Sequence, residues 1–393
     1  MINSFLFVII TFVVTRNLPF STLAPIANFC VLCLVIIGFL HWFKKRDKYI
    51  GLAFLLITFL ASYSLFFLEN DPLLIMRFYI ILLSLLCVHF IPFNSLKSLN
   101  IVIGLHILQG IVIMAISLYL YSTWEVSSYL PIRHWFLNNG FGDVYTYGNG
   151  FFRVQIKGNA LIPFFAMVSN FLYLKTQQKK YRFSEAFLLL ATLFAGNFMY
   201  LIGCGFYYIC TFLMQTNYLS KVRGLKNITL LFASILIIPI AVTSAVNVIE
   251  KKSTGQVSSI GTRIDQAEVL LSDMSDDVFT VLAGKGLGNT LDVTTSARDY
   301  TGNIYFELQG VYFLNQLGFI FLALYILALF YLYSKFIYFN HLGLIYLSYV
   351  GYAISNPYIL DTNHIIVIIT LCLLSRLIRA NMLVTGKFSK NVY

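Results

Sequence analysis

The chain has 393 residues, of which 59% are hydrophobic and only 11% charged, with a mean hydropathy of +0.80 and a net charge of +11. A soluble globule carries about 25% charged residues, so this composition excludes one and implies a polytopic membrane protein. The net positive charge does not call for nucleic acid: it falls on loops where membrane topology puts positive charge, on the cytoplasmic side.

Apolar runs long enough to cross a bilayer recur along the chain. In order, they cover residues 2–18, with Arg16 near the end; 20–43, stopped by Lys44-Lys45-Arg46-Asp47-Lys48; 49–68; 73–93, with Arg77 just inside; and 99–121. A polar loop at 122–157 precedes a span over 158–174 and the basic run Lys175 to Arg182. The segment 185–217 is broken at Gly196-Asn197 and reads as a hairpin of two spans, because the basic residues on both flanks belong on one side. Spans over 228–248, 311–333, 341–355 and 358–378 bring the expected total to twelve, with both termini inside. Seventeen Lys and Arg then lie on inside segments against nine outside, and the loops 122–157 and 249–307 face outward. The apolar N-terminus reads as a retained span rather than a cleaved signal peptide. All six cysteines sit in apolar segments and read as small buried side chains; Cys30 and Cys33 have no further ligand set nearby.

The stretch from Glu250 to Glu307 is the longest polar interruption and holds nine of the sixteen acidic residues. Ile260, Ile264, Ala267, Leu270 and Leu271 recur at helical spacing and predict an amphipathic helix lying on the membrane surface, with Arg263 and Gln266 riding on it. Ser275-Asp276-Asp277 predicts the cap of a short second helix. Asp273, Asp276 and Asp277 have no metal-ligand spacing and read as caps and solvated charge. Gly284-Lys285-Gly286-Leu287-Gly288 is not a Walker loop, since the glycine spacing is wrong and no Ser or Thr follows the Lys. It reads either as a turn aiming N–H groups and a Lys at a phosphate or as a plain turn closing onto the next span. Glu307, at the mouth of a span, is expected to be partly desolvated and so raised toward general-base range. In the earlier loop, Arg153 and Lys157 precede Gly158-Asn159 at a span start, which reads equally as an anion site at a helix N-terminus or as an interfacial anchor. Arg298 reads as solvent-facing or part of a substrate gate. Asp361 and His364, opening the last span, are weaker candidates, and His134 reads as a structural or solvated loop residue.

R-I-D-Q-A-E-V-L-L from Arg263, L-A-G-K-G-L-G-N from Leu282, E-L-Q-G-x-x-x-x-N-Q-L-G from Glu307 and R-x-x-x-K-G-N from Arg153 appear in an order that resembles the O-antigen polymerase (Wzy) and O-antigen ligase superfamily. The resemblance implies an all-α, GT-C-like membrane fold of about twelve helices, with short amphipathic helices in a large periplasmic loop. It implies an inner-membrane glycosyltransferase acting on undecaprenyl-pyrophosphate-linked oligosaccharides at the periplasmic face, and it leaves open a chain-length regulator as partner. The ligase branch carries a His-Asn pair where this chain has Glu307, which favours polymerase. Transferred to this chain, the catalytic residues are Glu307 and Arg263. Arg153, Lys157, Arg77, Lys285 and Arg298 would bind pyrophosphate, and Asn159, Gln266, Gly284, Gly286 and Gly288 would shape the site. No cofactor or metal is expected. A transporter is the rival reading, but no internal repeat supports it.

Overall fold

The computed structural model describes residues 2–15, 24–123, 126–146, 152–215, 259–275, 277–295, 299–302, 306–337, 340–354 and 356–380. The expected span at 228–248, Arg16, Arg298 and Asp276 lie outside the described residues. The protein is largely helical. Helices α1 (Ile2–Thr15), α2 (Ala24–Lys45), α3 (Lys48–Phe66), α4 (Pro72–Cys87) and α5 (Leu96–Thr123) follow the first five expected spans, with ends shifted by a few residues. The loop expected at 122–157 is not irregular. It folds as α6 (Val126–Asn138) and two antiparallel strands, β1 (Gly142–Thr146) and β2 (Phe152–Ile156), paired from Gly142 opposite Ile156 to Thr146 opposite Phe152. Then come α7 (Leu161–Thr176), α8 (Lys179–Ala195), α9 (Phe198–Gln215), α10 (Ser259–Met274), α11 (Val278–Ala283), α12 (Gln309–Phe336), α13 (Asn340–Ile354) and α14 (Thr362–Arg379). Six of the described helices are long and apolar enough to cross a membrane.

The break expected at Gly196-Asn197 is present. Gly196 closes α8 in the left-handed conformation at φ 65°, which a glycine adopts without a Cβ penalty, and α9 starts two residues later. The preceding helix begins earlier than residue 185, so Glu185 is buried within it, where it accepts hydrogen bonds from Arg182 and Asn170.

The connectors sort into two ends. At one, Asp47 caps α3, and its buried carboxylate takes Lys335 and the Tyr331 hydroxyl from the end of α12. Those partners and the Ile50 N–H outweigh the desolvation that pushes it up, and hold its pKa below the usual carboxylate value. There too Arg376, in the last turn of α14, donates to the carbonyls of His89 and Ile91. At the other end, Asn197 Nδ2 donates to Asn356 Oδ1 (3.1 Å), Gln155 Nε2 to the Tyr358 hydroxyl (3.3 Å), and Asn70 Nδ2 to the carbonyls of Lys285 and Leu287 (3.0 Å each). Both polar loops therefore meet the α3–α4, α8–α9 and α13–α14 connectors at one end of the bundle.

Candidate functional site at the loop end of the bundle

The R-I-D-Q segment is explained residue by residue. Arg263 Nε donates to Glu307 Oε2 at 3.1 Å; the two side chains are 28% and 36% exposed. Asp265 Oδ2 accepts from the Tyr300 hydroxyl at 2.7 Å and the Thr295 hydroxyl at 3.0 Å, which pins the segment before Glu307 onto α10. Gln266 is fully buried, and its Oε1 accepts the N–H groups of Glu307 (3.0 Å) and Leu308 (3.3 Å). Residues 263 and 266 are one turn apart on the helix. One face of α10 thus holds both the Glu307 backbone and its carboxylate. Glu307 is an ion-paired, part-exposed carboxylate, not an isolated one at the edge of an apolar run.

The buried face of α10 is Gln266, Leu270 and Met274, packed toward α12, while Ile264 and Leu271 stay exposed. The apolar residues read from spacing therefore divide between two faces. With Val278, Phe279 and Leu282 of α11, the exposed ones form an apolar surface on this loop. Asp277 caps α11 through the Thr280 N–H at 2.7 Å, as the sequence predicts. Asp273 takes hydrogen bonds from Asn289 and Asn315 and lies 3.8 Å from Lys285 Nζ.

The glycine-rich turn closes onto the next span. Gly318 interrupts α12 with φ 64° and ψ 176°, freeing carbonyls that the intact helix would have used. Lys285 and Gly286 fill them, donating to the Asn315 carbonyl at 2.8 Å and the Gln316 carbonyl at 3.0 Å. Leu287 N–H donates to Ser64 Oγ and Gly288 N–H to Gln316 Oε1. The turn's N–H groups at 285–288 are thus spent inside the protein, which is the geometry of the plain turn rather than of a phosphate cradle. Gly288 also abuts the backbone of α4 at Ile75, and Arg77 stands exposed on that helix.

On the β hairpin, Phe152, Val154 and Ile156 are buried, and Arg153 and Gln155 share the other face. The Arg153 guanidinium lies 5.7 Å from the Tyr145 ring centre, whose other neighbour is Arg133 at 5.3 Å. Desolvation of this part-exposed side chain, then the hydrogen-bonded Asp143, push the Tyr145 phenol up to about 12. Among the described residues, Arg153 Nε is buried without a hydrogen-bond partner. Lys157 is exposed, with its backbone held by Phe141 and Gln109. Asn159 is buried and folds back onto the Val154 carbonyl at 3.2 Å. Leu161 and Ile162 N–H bond to Gly158 and Asn159, so two of the N–H groups at the α7 start are taken.

Two clusters result, one at Arg263, Gln266 and Glu307 and one at Arg153 and Gln155. The α13–α14 connector joins them. Gln309 Oε1 accepts the N–H groups of Ile359 and Leu360, both at 3.0 Å, and the adjacent Tyr358 hydroxyl accepts from Gln155. That connector ends at Asp361, which caps α14 and whose carboxyl is pushed up by desolvation to about 7. Gln309 was legible only as part of the E-L-Q-G run. Tyr358 and the buried Tyr200, whose ring centres lie 6.3 Å apart, carried no signal, because tyrosines are everywhere in this chain. No known family, curated protein or solved structure matches the chain.

Proposed function

We propose that the chain is an O-antigen polymerase, joining oligosaccharide repeat units carried on undecaprenyl pyrophosphate at the periplasmic face of the inner membrane. The observation that carries this reading is the Arg263–Glu307 pair on a backbone fixed by Gln266, at the same end as Arg153. Polymerisation needs a base near a sugar hydroxyl and fixed positive charge near a leaving pyrophosphate. A carboxylate and guanidinium groups supply both.

In this mechanism the acceptor's terminal hydroxyl attacks the anomeric carbon of the donor sugar. The new glycosidic C–O bond forms as the bond to pyrophosphate breaks. The hydroxyl proton passes to Glu307, and the bonding electron pair leaves with the pyrophosphate. Arg263 orients the carboxylate before the substrate arrives. Arg153 and Lys157, with Arg77 as a further cation, receive the pyrophosphate, while Lys285 is engaged with Asp273; guanidinium groups bind such oxygens in pairs and do not require a metal for charge neutralisation. The exposed apolar surface of α10 and α11 suits the lipid-rich setting of such substrates.

The test is genetic and chemical. Glu307→Gln and Arg263→Ala expressed in a strain lacking its own copy should leave carrier-linked single repeats and no long-chain polysaccharide. A normal chain-length ladder from Glu307→Gln would remove Glu307 as the base. Full-length polymer stranded on the carrier in a deletion strain would instead identify a ligase. Activity that survives EDTA supports the metal-free step, and activity lost to EDTA and restored by a divalent ion overturns it.

A further inference from the structure

A lateral groove opens between α2 and α3, far from the site above. Both helices pack on α4, which forms the floor, and Phe39 and Trp42 of α2 reach Phe54 of α3 with ring centres 5.7 and 4.8 Å apart. The groove has a volume of about 720 Å³ and is lined by Leu52, Leu55 and Leu83 among other apolar side chains. Its interior hydroxyls, Thr58 and Tyr79, lie 2.9 Å apart and satisfy each other. Such a wall offers water nothing and accepts hydrocarbon.

Its position decides the class of lipid. Apart from Thr58 and Tyr79 at mid-helix, the lining residues come from the C-terminal halves of α2 and α4 and the N-terminal half of α3, so the groove runs from mid-bundle to the α2–α3 connector. Lys48 lines its mouth; Lys44 and Arg46 are exposed at the same connector, while Lys45 turns its ammonium to the Phe336 and Phe90 rings at 5.0 and 5.9 Å. The acid in this run, Asp47, is buried and already paired with Lys335 and Tyr331, so it does not offset those cations. Trp42 lines the groove and donates its indole N–H to the Asp47 carbonyl at 3.0 Å, which holds the mouth in shape. An apolar channel that ends in uncompensated lysines matches an acyl chain that ends in an anionic headgroup.

We propose that this groove is a binding site for one anionic diacyl phospholipid, its chains against α2–α4 and its phosphate at Lys44 and Lys48. The lipid belongs to the leaflet at the Lys44–Lys48 end, opposite the Arg263–Glu307 pair, and the assignment is independent of the proposed reaction.

The full-length protein in detergent micelles, offered equal phosphatidylglycerol and phosphatidylcholine, can be read by native mass spectrometry. One phosphatidylglycerol per chain should be retained in preference. The Lys44→Gln/Lys48→Gln double variant should lose that preference by about fivefold per lysine. Leu55→Trp, which fills the groove, should reduce retention of both lipids. Equal retention of the two lipids by the unmodified protein overturns the proposal, as does a double variant that keeps the full preference. A prenyl phosphate that displaces phosphatidylglycerol from both forms alike also overturns it, assigning the groove to a carrier lipid. If a variant does not fold, the competition on the unmodified protein decides alone.

Discussion

Arg263 and Glu307 lie 44 residues apart in sequence, and their side chains meet at 3.1 Å across the mouth of α12. Both are about a third exposed, and a pair in that setting contributes about 0–1 kcal/mol to stability. Fold and function should therefore separate cleanly here. Glu307→Gln and Arg263→Ala are expected to keep membrane yield and melting temperature close to those of the parent. The proposed polymer-forming activity should fall by about 100-fold or more, the usual worth of a positioned base, if Glu307 has that role. Sugar incorporation into carrier-linked product, measured beside a thermal melt, checks both halves. A large drop in melting temperature would assign the pair to the fold instead.

Gly284 and Gly318 form the joint between the loop and the broken helix. A Cβ on Gly318 would lie 2.4 Å from the Gly284 nitrogen and 2.5 Å from the Leu282 carbonyl, and one on Gly284 would lie 2.4 Å from the Gln316 carbonyl. These are backbone atoms, and both glycines have positive φ. Gly302 also has φ 64°, but nothing lies within 4 Å of its Cβ position. Gly302→Ala should therefore cost only the conformational term, on the order of 1 kcal/mol. Gly318→Ala should cost about 3 kcal/mol or more, since the clash adds to the same strain. Thermal melts of the two variants against the parent give the comparison; equal losses would mean that the joint tolerates a Cβ.

Gln266 gives a different kind of test. Gln266→Leu keeps a side chain of similar bulk but leaves the N–H groups of Glu307 and Leu308 without their acceptor. Each buried donor left unpaired costs about 1–3 kcal/mol. The variant should melt lower than Arg263→Ala, and its loss of activity should accompany loss of order at the start of α12. Hydrogen exchange at residues 307 and 308 measures that order directly.

What the sequence made legible follows from which forces act locally. Hydropathy marks the helices because each span must satisfy its own backbone in lipid; hence α1–α5 and the Gly196 break were readable. The first loop hid a helix and a hairpin because what ties them together are polar side-chain contacts within the loop that follow no apolar repeat: Tyr129 bonds the Val144 carbonyl, and Arg133 holds Asp143. Arg263 and Glu307 were visible as charges beside apolar runs. The closing of the 284–288 turn onto the next span was one of its two readings, but Gly318 as the residue it docks on was not, since a glycine inside an apolar helix gives no sign of which turn will meet it. The face of α10 was misassigned for a related reason: a buried glutamine, Gln266, occupies the position that an apolar residue holds in a simple amphipathic pattern.

Asp361 turns the α13–α14 connector into a measurable pH element. Desolvation raises its carboxyl to about 7, outweighing the Asn363 side-chain amide it accepts and the N–H groups of His364 at 3.3 Å and Asn363 at 2.8 Å. An unfolded aspartate titrates near pH 4. The folded state therefore holds a proton that the unfolded chain has released across roughly pH 4 to 7, and stability falls as pH rises through that window. Above it the term is fully lost. Asparagine at 361 keeps the cap, since its side-chain oxygen accepts the same N–H groups, but it cannot titrate. The melting temperature of the parent should thus drop relative to Asp361→Asn between pH 5 and pH 8, while other carboxylates cancel in the comparison. Parallel curves for the two proteins would show that Asp361 is ionised throughout. A parent that instead loses stability relative to the variant only below about pH 4 would show that the cap hydrogen bonds outweigh desolvation.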